Sequence, residues 1–210
     1  MFITLEGPEG GGKTTQAQRL AAWLREMGKN VLAVREPGGT QISDAIRRIL
    51  LDSNSSNMDA RAELLLFCAS RAQLVSEKIR PHLAQGGIVV CDRFADSTLA
   101  YQGYARGLNL TFLRSLVDFA TSGLTPDLTL LLDIDVTAGL RRKAADEEWN
   151  RLDAEEVDFH ARVRNGYHTL AAAEPRRWAI INADRALDIV ADEIHHVVSA
   201  ALTTVTDMRE

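Results

Sequence analysis

Cysteine is nearly missing from this 210-residue chain, which carries only Cys68 and Cys91. One falls in a helical pattern and the other ends an apolar run. Neither has zinc-ligand spacing and the pair is too few for a disulfide framework, so both are expected to be buried and reduced. Positive charge is also short: 24 Lys and Arg against 29 Asp and Glu leave a net charge of −5. That excludes the broad basic surface that binds nucleic acid or an anionic membrane leaflet. No apolar run approaches the about 20 residues of a membrane-spanning helix, and no basic stretch precedes the first apolar residues as a leader would. Internal repeats and low-complexity segments are missing too. With 46% apolar and 25% charged residues, the composition is that of a soluble globular chain. Its length predicts one α/β domain over residues 1–210, in the cytoplasm.

Against these absences stands Gly7-Pro8-Glu9-Gly10-Gly11-Gly12-Lys13-Thr14. It fits G-x-x-x-x-G-K-[ST], whose backbone N–H groups wrap nucleotide phosphates while the lysine reaches the β/γ oxygens and the hydroxyl can ligate Mg²⁺. The bland reading is a Gly-rich surface turn, and the flanks decide against it. Phe2-Ile3-Thr4-Leu5 before the loop reads as a buried strand. After it, Ala17, Leu20, Ala21, Leu24 and Met27 recur at helical spacing, closed by Gly28 at the position of a C-terminal cap. Strand, loop and helix aim a helix N-terminus at the phosphates.

Further apolar runs at Val31–Val34, Ile88–Cys91, Leu128–Leu132 and Trp178–Ile181 read as four more strands. Amphipathic helices are expected around Ile42, Ala45, Ile46, Ile49 and Leu50, from about Asp59 to a break near Pro81, and at the end through Val190, Ile194, Val197, Val198 and Ala201. Five strands separated by helices predict a P-loop NTPase fold: a five-stranded parallel sheet with helices on both faces. Arg141 to Arg151 is densely charged and leaves little room for a core face. It reads either as a solvated helix surface or as a small lid segment of about 141–155.

Several strand exits carry groups suited to phosphoryl transfer. Asp92-Arg93 could place a Mg²⁺-directed carboxylate beside a phosphate-directed guanidinium, or could be a strand-end ion pair. Phe67 and Arg71 project together at i, i+4, which suits a nucleobase, although the residues alone favour a core role for Phe67. Ser97, Thr98, Tyr101 and Gln102 also pair as i, i+4. They suit a base and a sugar, or simply begin a polar helix capped by Ser97 or Asp96.

Together, Leu5 to Thr15, Arg35-Glu36-Pro37-Gly38-Gly39-Thr40, Leu66-Phe67-Cys68-Ala69-Ser70-Arg71, and Asp92-Arg93-Phe94 with Ser97 to Gly103 closely resemble the bacterial thymidylate kinase family. The resemblance runs in order over nearly the whole chain. It implies a nucleoside monophosphate kinase that moves the γ-phosphoryl group of ATP to dTMP with Mg²⁺, giving dTDP and ADP for dTTP synthesis, usually as a homodimer.

The resemblance also implies roles. Gly7 to Thr15 would hold ATP, and Glu9 would face the deoxyribose 3′-hydroxyl. Tyr101 would crowd the place of a ribose 2′-hydroxyl. Phe67 would stack on thymine, Arg71 would donate to its O4, and Thr98 and Gln102 would complete these contacts. Arg93 would hold the acceptor phosphate, assisted by Arg35, Arg47 and Ser97, with Pro37 in the same wall. Thr14 would ligate Mg²⁺, while Asp92 and Glu36 would bind it through water or orient the arginines. Since the phosphate loop has no arginine, the lid would supply the catalytic cation from Arg151, Arg141 or Arg142. Arg142 and the loop at Asn182-Ala183 are candidates for adenine. Asn150-Arg151-Leu152-Asp153 has Asn and Asp where relatives commonly carry Asp and Glu, which leaves the roles of Asp153 and Glu155 open.

Three other readings of the same motifs predict different behaviour, the first being a degenerate binding protein that would not turn over at all, against which intact Lys13, Thr14, Asp92 and Arg151 argue. Another nucleoside monophosphate or deoxynucleoside kinase would prefer a different acceptor. A nucleotide-dependent switch would turn over without one.

Overall fold

Short runs of β-branched and aliphatic residues form strands buried on both faces, as a parallel sheet requires. In a computed structural model that describes residues 1–55, 57–145 and 150–207, with backbone alone for 204–207, five strands lie parallel. They are β1 (Phe2–Glu6), β2 (Val31–Arg35), β3 (Ile88–Asp92), β4 (Leu128–Asp133) and β5 (Trp178–Asn182), in the order β2-β3-β1-β4-β5. Leu5 pairs with Asp92 on one side of β1 and with Leu130 on the other. β1 is therefore the central strand. The loop that follows it opens at the middle of the sheet's carboxyl edge, where open α/β sheets bind ligands.

Alternation along β1 divides the core. Ile3 and Leu5 point to one face, where they meet Leu20 and Leu24 of α1 (Lys13–Glu26) and Val190, Ile194 and Val198 of α9 (Leu187–Asp207). Phe2, Thr4 and Glu6 point to the other. There α2 (Gln41–Leu51), α3 (Ala60–Leu74), α6 (Leu110–Thr121) and α8 (Val157–Ala173) pack around Leu64, Leu113, Phe159, Val163 and Tyr167. Leu20 and Leu113 are 0% exposed, and truncating either to Ala costs about 2–5 kcal/mol by the usual scale of core cavities.

Pro81 does not break its helix. A π-segment, Val75–Ile79, joins α3 to α4 (Arg80–Ala84), and the Arg80 N–H reaches back five residues to Val75 O. The wider turn leaves room for a ring that would clash in an α-turn. A second π-segment, Leu99–Ala105, extends α5 (Ala95–Thr98). Neither Ser97 nor Asp96 caps α5: Ser97 bonds Glu6, and Asp96 pairs with Arg177 at 2.7 Å. The apolar stripe expected of α2 is only partly internal, for Leu50 is buried while Ile42 and Ile49 are 55% and 51% exposed. Met27 is exposed as well. Both cysteines are free and buried, as expected.

Arg141 and Arg142 lie in the last turn of α7 (Val136–Ala144). The charged run therefore begins as helix, and its Asp146–Trp149 portion is outside the described residues.

Candidate functional site

The phosphate loop closes against β4 and α7. Gly7, Gly10 and Gly12 have φ of 139°, 71° and 77°. Space forbids a side chain at Gly10 as firmly as φ does, because a Cβ there would lie 2.0 Å from Gly139 O. Gly12 stands at the start of α1, so the first free N–H groups of that helix face the loop's concavity. Lys13 folds back over it, its Nζ donating to Pro8 O at 2.6 Å. Burial, reinforced by Arg93, pulls the Lys13 pKa down to about 8, against the opposing charges of Glu9 and Asp92. Thr14 Oγ1 donates to Asp92 Oδ2 at 2.5 Å, joining the loop to the exit of β3.

Arg93 follows Asp92 in a left-handed conformation, φ 66°, which is uncommon for a non-glycine residue. Three contacts hold the turn: Arg93 N donates to Leu5 O at 3.0 Å, Phe94 N to Glu6 Oε1 at 2.8 Å, and Cys91 Sγ to Arg93 O at 3.0 Å. The turn aims the guanidinium at the phosphate loop. Its Nη2 donates to Glu9 Oε2 at 2.7 Å, and its Nη1 to Gly7 O at 3.0 Å and Tyr167 Oη at 3.1 Å. Burial works against ionisation of Glu9. Arg93, Lys13 and the Tyr101 hydroxyl outweigh it and hold the Glu9 pKa to about 2.

A cavity of about 520 Å³ opens between the loop, the exit of β2, α3, the α5 region and the chain after residue 150. That volume lies within the usual range for small-molecule sites, about 300–1,000 Å³. Its wall contains Glu9, Gly10, Gly12, Lys13, Thr14 and Thr15 from the loop and α1, with Asp92 and Arg93. Arg35, Glu36, Pro37 and Arg47 contribute from the second strand exit and α2, and Phe67, Ser97, Thr98, Tyr101 and Gln102 from the two helices. Residues expected at a donor and at an acceptor thus share one cavity. Phe67 is half-buried and faces it, which removes the pure core reading.

Several expected residues stand outside the wall, among them Pro8 and Gly11, which are buried in the loop. Arg71, 1% exposed, lies behind the wall. Its Nε donates to Glu36 Oε2 at 2.8 Å, Nη1 to Thr98 Oγ1 at 2.9 Å and Nη2 to Phe94 O at 3.0 Å. Arg151 turns from the cavity to Leu50 O and Glu63. Arg141 is exposed, and Gly7 lies under the loop against Leu132 O. Arg142 does face the cavity, with Nη1 donating to Ala183 O at 2.9 Å and Nη2 to Asp184. Asp153, left open by the sequence, also lines it. Burial and then the charge of Glu9 push its carboxyl up to about 6.

The sequence reading missed the supports of Arg93. Glu6 and Tyr167 are fully buried beneath it, and Glu6 Oε2 accepts from Tyr167 Oη at 3.0 Å and from Ser97 Oγ at 2.6 Å. A carboxylate ending an otherwise apolar strand was the available signal for Glu6. For Tyr167 it was the glycine before it in mid-helix: a Cβ on Gly166 would meet the Tyr104 ring at 2.8 Å. Gln18, Leu51 and Lys143 also line the cavity unannounced.

Metal binding can be judged from the donor set. Thr14 Oγ1 and Asp92 Oδ2 adjoin at the sheet edge, and Glu36 Oε1 is buried with no hydrogen-bond partner. Among the described residues no group of three His, Cys, Asp or Glu could hold a metal alone. One hydroxyl and one or two carboxylates suit Mg²⁺, which keeps waters and takes its other ligands from substrate phosphates.

Comparison with known proteins agrees with this arrangement. The family model described as thymidylate kinase matches residues 5–194. A thymidylate kinase of Roseiflexus sp. (strain RS-1) is 50% identical over 218 residues, covering 98% of this chain and 96% of the relative. One from Deinococcus radiodurans is 50% identical over 199 residues, covering 95% and 96%. The crystal structure of thymidylate kinase from Ehrlichia chaffeensis superposes with a TM-score of 0.78 at 35% identity, covering 95% of this chain and 98% of that one. The chain belongs to the thymidylate kinase family and is an ATP-dependent nucleoside monophosphate kinase of the P-loop fold.

Proposed function

We propose that one domain, residues 1–210, transfers the γ-phosphoryl group of ATP to dTMP within this cavity, giving dTDP and ADP. The observation that carries this assignment of roles is the Glu9 carboxylate: it belongs to the donor loop yet bonds Arg93 and Tyr101 of the acceptor wall. ATP phosphates lie along Gly7 to Thr15 under Lys13. The acceptor phosphate lies on Arg93, with Arg35, Arg47 and Ser97 around it, beside Glu36 and Pro37. Thymine stacks on Phe67, with Thr98 and Gln102 at its edge. Arg71 orients Glu36 and Thr98 from behind and reaches O4 only by turning out of its bonds to Thr98 and Phe94. Glu9 faces the deoxyribose, and Tyr101 fills the space of a 2′-hydroxyl.

No general base is needed, because a monophosphate oxygen is already ionised near neutral pH and requires alignment. Thr14, with Asp92 through water, would hold Mg²⁺, which would supply positive charge to neutralise the phosphates. Lys13 and Arg93 are fixed cations on either side of the transferring group, where preorganised charge lowers the barrier.

The lid is residues 141–155. Arg142, already facing the cavity beside Ala183, is the arginine placed to cover the adenine and triphosphate, with Arg141 next to it on the same turn. Arg151 reaches the phosphates only by leaving Glu63 and Leu50. Exposed Leu65 of α3 and Phe112 and Phe119 of α6, with Ile42 and Ile49 of α2, support a homodimer through these packed helices. No described helix is long and apolar enough to cross a membrane, in keeping with a cytoplasmic enzyme. Measuring ADP release with and without dTMP tests the reading: turnover requires the acceptor, whereas a nucleotide switch hydrolyses ATP alone.

A further inference from the structure

Glu63 is outside the cavity wall, yet four donors converge on it. It is 1% exposed and stands on α3 one helical turn before Phe67. Its Oε1 accepts from Gln102 Nε2 at 2.9 Å and Arg106 Nε at 2.8 Å, and its Oε2 from Arg106 Nη2 at 3.0 Å and Arg151 Nη2. Arg106 also donates to Glu155 at 2.7 Å, so two guanidiniums meet two carboxylates. Burial opposes the charge on Glu63, but Arg106, Gln102 and Arg151 prevail and hold its carboxyl below the ordinary range.

An ionised carboxylate only accepts hydrogen bonds. Gln102 must therefore turn its NH₂ to Glu63, and its amide cannot flip without placing a carbonyl against that charge. The carbonyl is the end left over, on a residue that lines the cavity. Among the described residues no donor bonds to Gln102 Oε1. Arg106 and Arg151 act one step further back, as the counterions that keep Glu63 an acceptor.

We propose that Glu63 is a positioning residue for base specificity, fixing the Gln102 amide so that a hydrogen-bond acceptor faces the base. The inference rests on the placement of the base against Phe67 and Gln102 proposed above. The N3–H of thymine or uracil donates to such an oxygen. Cytosine presents a lone pair at N3, which would confront the carbonyl directly. An amide free to flip could offer either end and would treat the two bases more evenly.

The test is the ratio of kcat/KM for dTMP to that for dCMP, in which general losses of activity cancel. Glu63→Gln, which can donate as well as accept, is expected to lower the ratio about tenfold or more, the scale of one hydrogen bond left unmade. Gln102→Leu should lower it similarly. If the single Glu63 variant, with two arginines facing only Glu155, fails to fold, Glu63→Gln with Arg151→Gln restores the charge balance and is read the same way. A ratio unchanged in the Glu63 variants but lowered by Gln102→Leu overturns the role of Glu63 while leaving the base placement standing. A ratio unchanged in both removes the base placement, and the proposal with it.

Discussion

Glu9 and Arg93 meet at 2.7 Å across the mouth of the cavity, the carboxylate from the phosphate loop and the guanidinium from the exit of β3. Side-chain exposures of 13% and 17% put this pair largely out of water, where losing one partner strands the other's charge. Glu9→Gln is therefore expected to lower kcat/KM for dTMP by about 10–100-fold, the cost of about 1.4–2.7 kcal/mol, with the KM for ATP changed less. Steady-state kinetics with each substrate varied in turn provide the check. Equal loss for both substrates would make Glu9 a loop-shaping residue instead of an acceptor contact.

Lys13 predicts a pH limb. Its folded pKa is about 8, so the cation that faces the triphosphate is present below that pH and lost above it. Since kcat/KM reports ionisations of the free enzyme, kcat/KM for ATP should fall as pH rises through about 8. A profile flat well beyond that pH would contradict the depressed pKa. Lys13→Ala removes the cation at every pH and should reduce kcat by about 10²–10³, as removal of one preorganised donor does.

Phe67→Ala separates stacking from folding. Loss of one base–aromatic stack is worth about 1–3 kcal/mol, so the KM for dTMP should rise by about tenfold or more while that for ATP stays near its original value. Parallel weakening of both substrates, with a lowered melting temperature, would mark Phe67 as a packing residue.

Glu6 predicts a pH dependence of stability. Burial, and then the charge of Asp96, push its carboxyl up from the ordinary 4.5 to about 7. The folded protein thus binds this proton more tightly than the unfolded chain does. The stability linked to it is complete below 4.5 and is lost as pH rises through about 7. In Glu6→Gln that loss should vanish, so the difference in unfolding free energy between parent and variant should change across this window and be level outside it. A constant difference would show that Glu6 does not titrate there.

These residues also show what sequence could reveal. The five strands and the phosphate loop were legible because apolar runs of four or five residues ended at a charged or polar residue, Glu6, Arg35, Asp92, Asp133 or Asn182, and local pattern was enough. Phe67, Tyr101 and Gln102 were legible as a set through resemblance. Hidden were the groups whose meaning depends on distant partners: Glu6 under Arg93, 87 positions away in the chain, Tyr167 on α8, and Glu63 beneath Gln102. No local spacing joins them. Pro81 misled for a related reason, since the π-turn that accommodates it is a property of the packed helix and not of the Pro-containing tripeptide. Arg151 sat in a charged run that invited a catalytic reading. Only the fold places Glu63 within its reach.

Acceptor choice tests the central claim most directly. With ATP and Mg²⁺ held constant, initial rates should be measured for dTMP, dUMP, dCMP, AMP, GMP and UMP in turn. The Phe67, Tyr101 and Gln102 wall beside Glu9 predicts that dTMP has the highest kcat/KM and that the ribonucleotides UMP, AMP and GMP are poor acceptors. A preference for AMP, GMP or UMP over dTMP would contradict it.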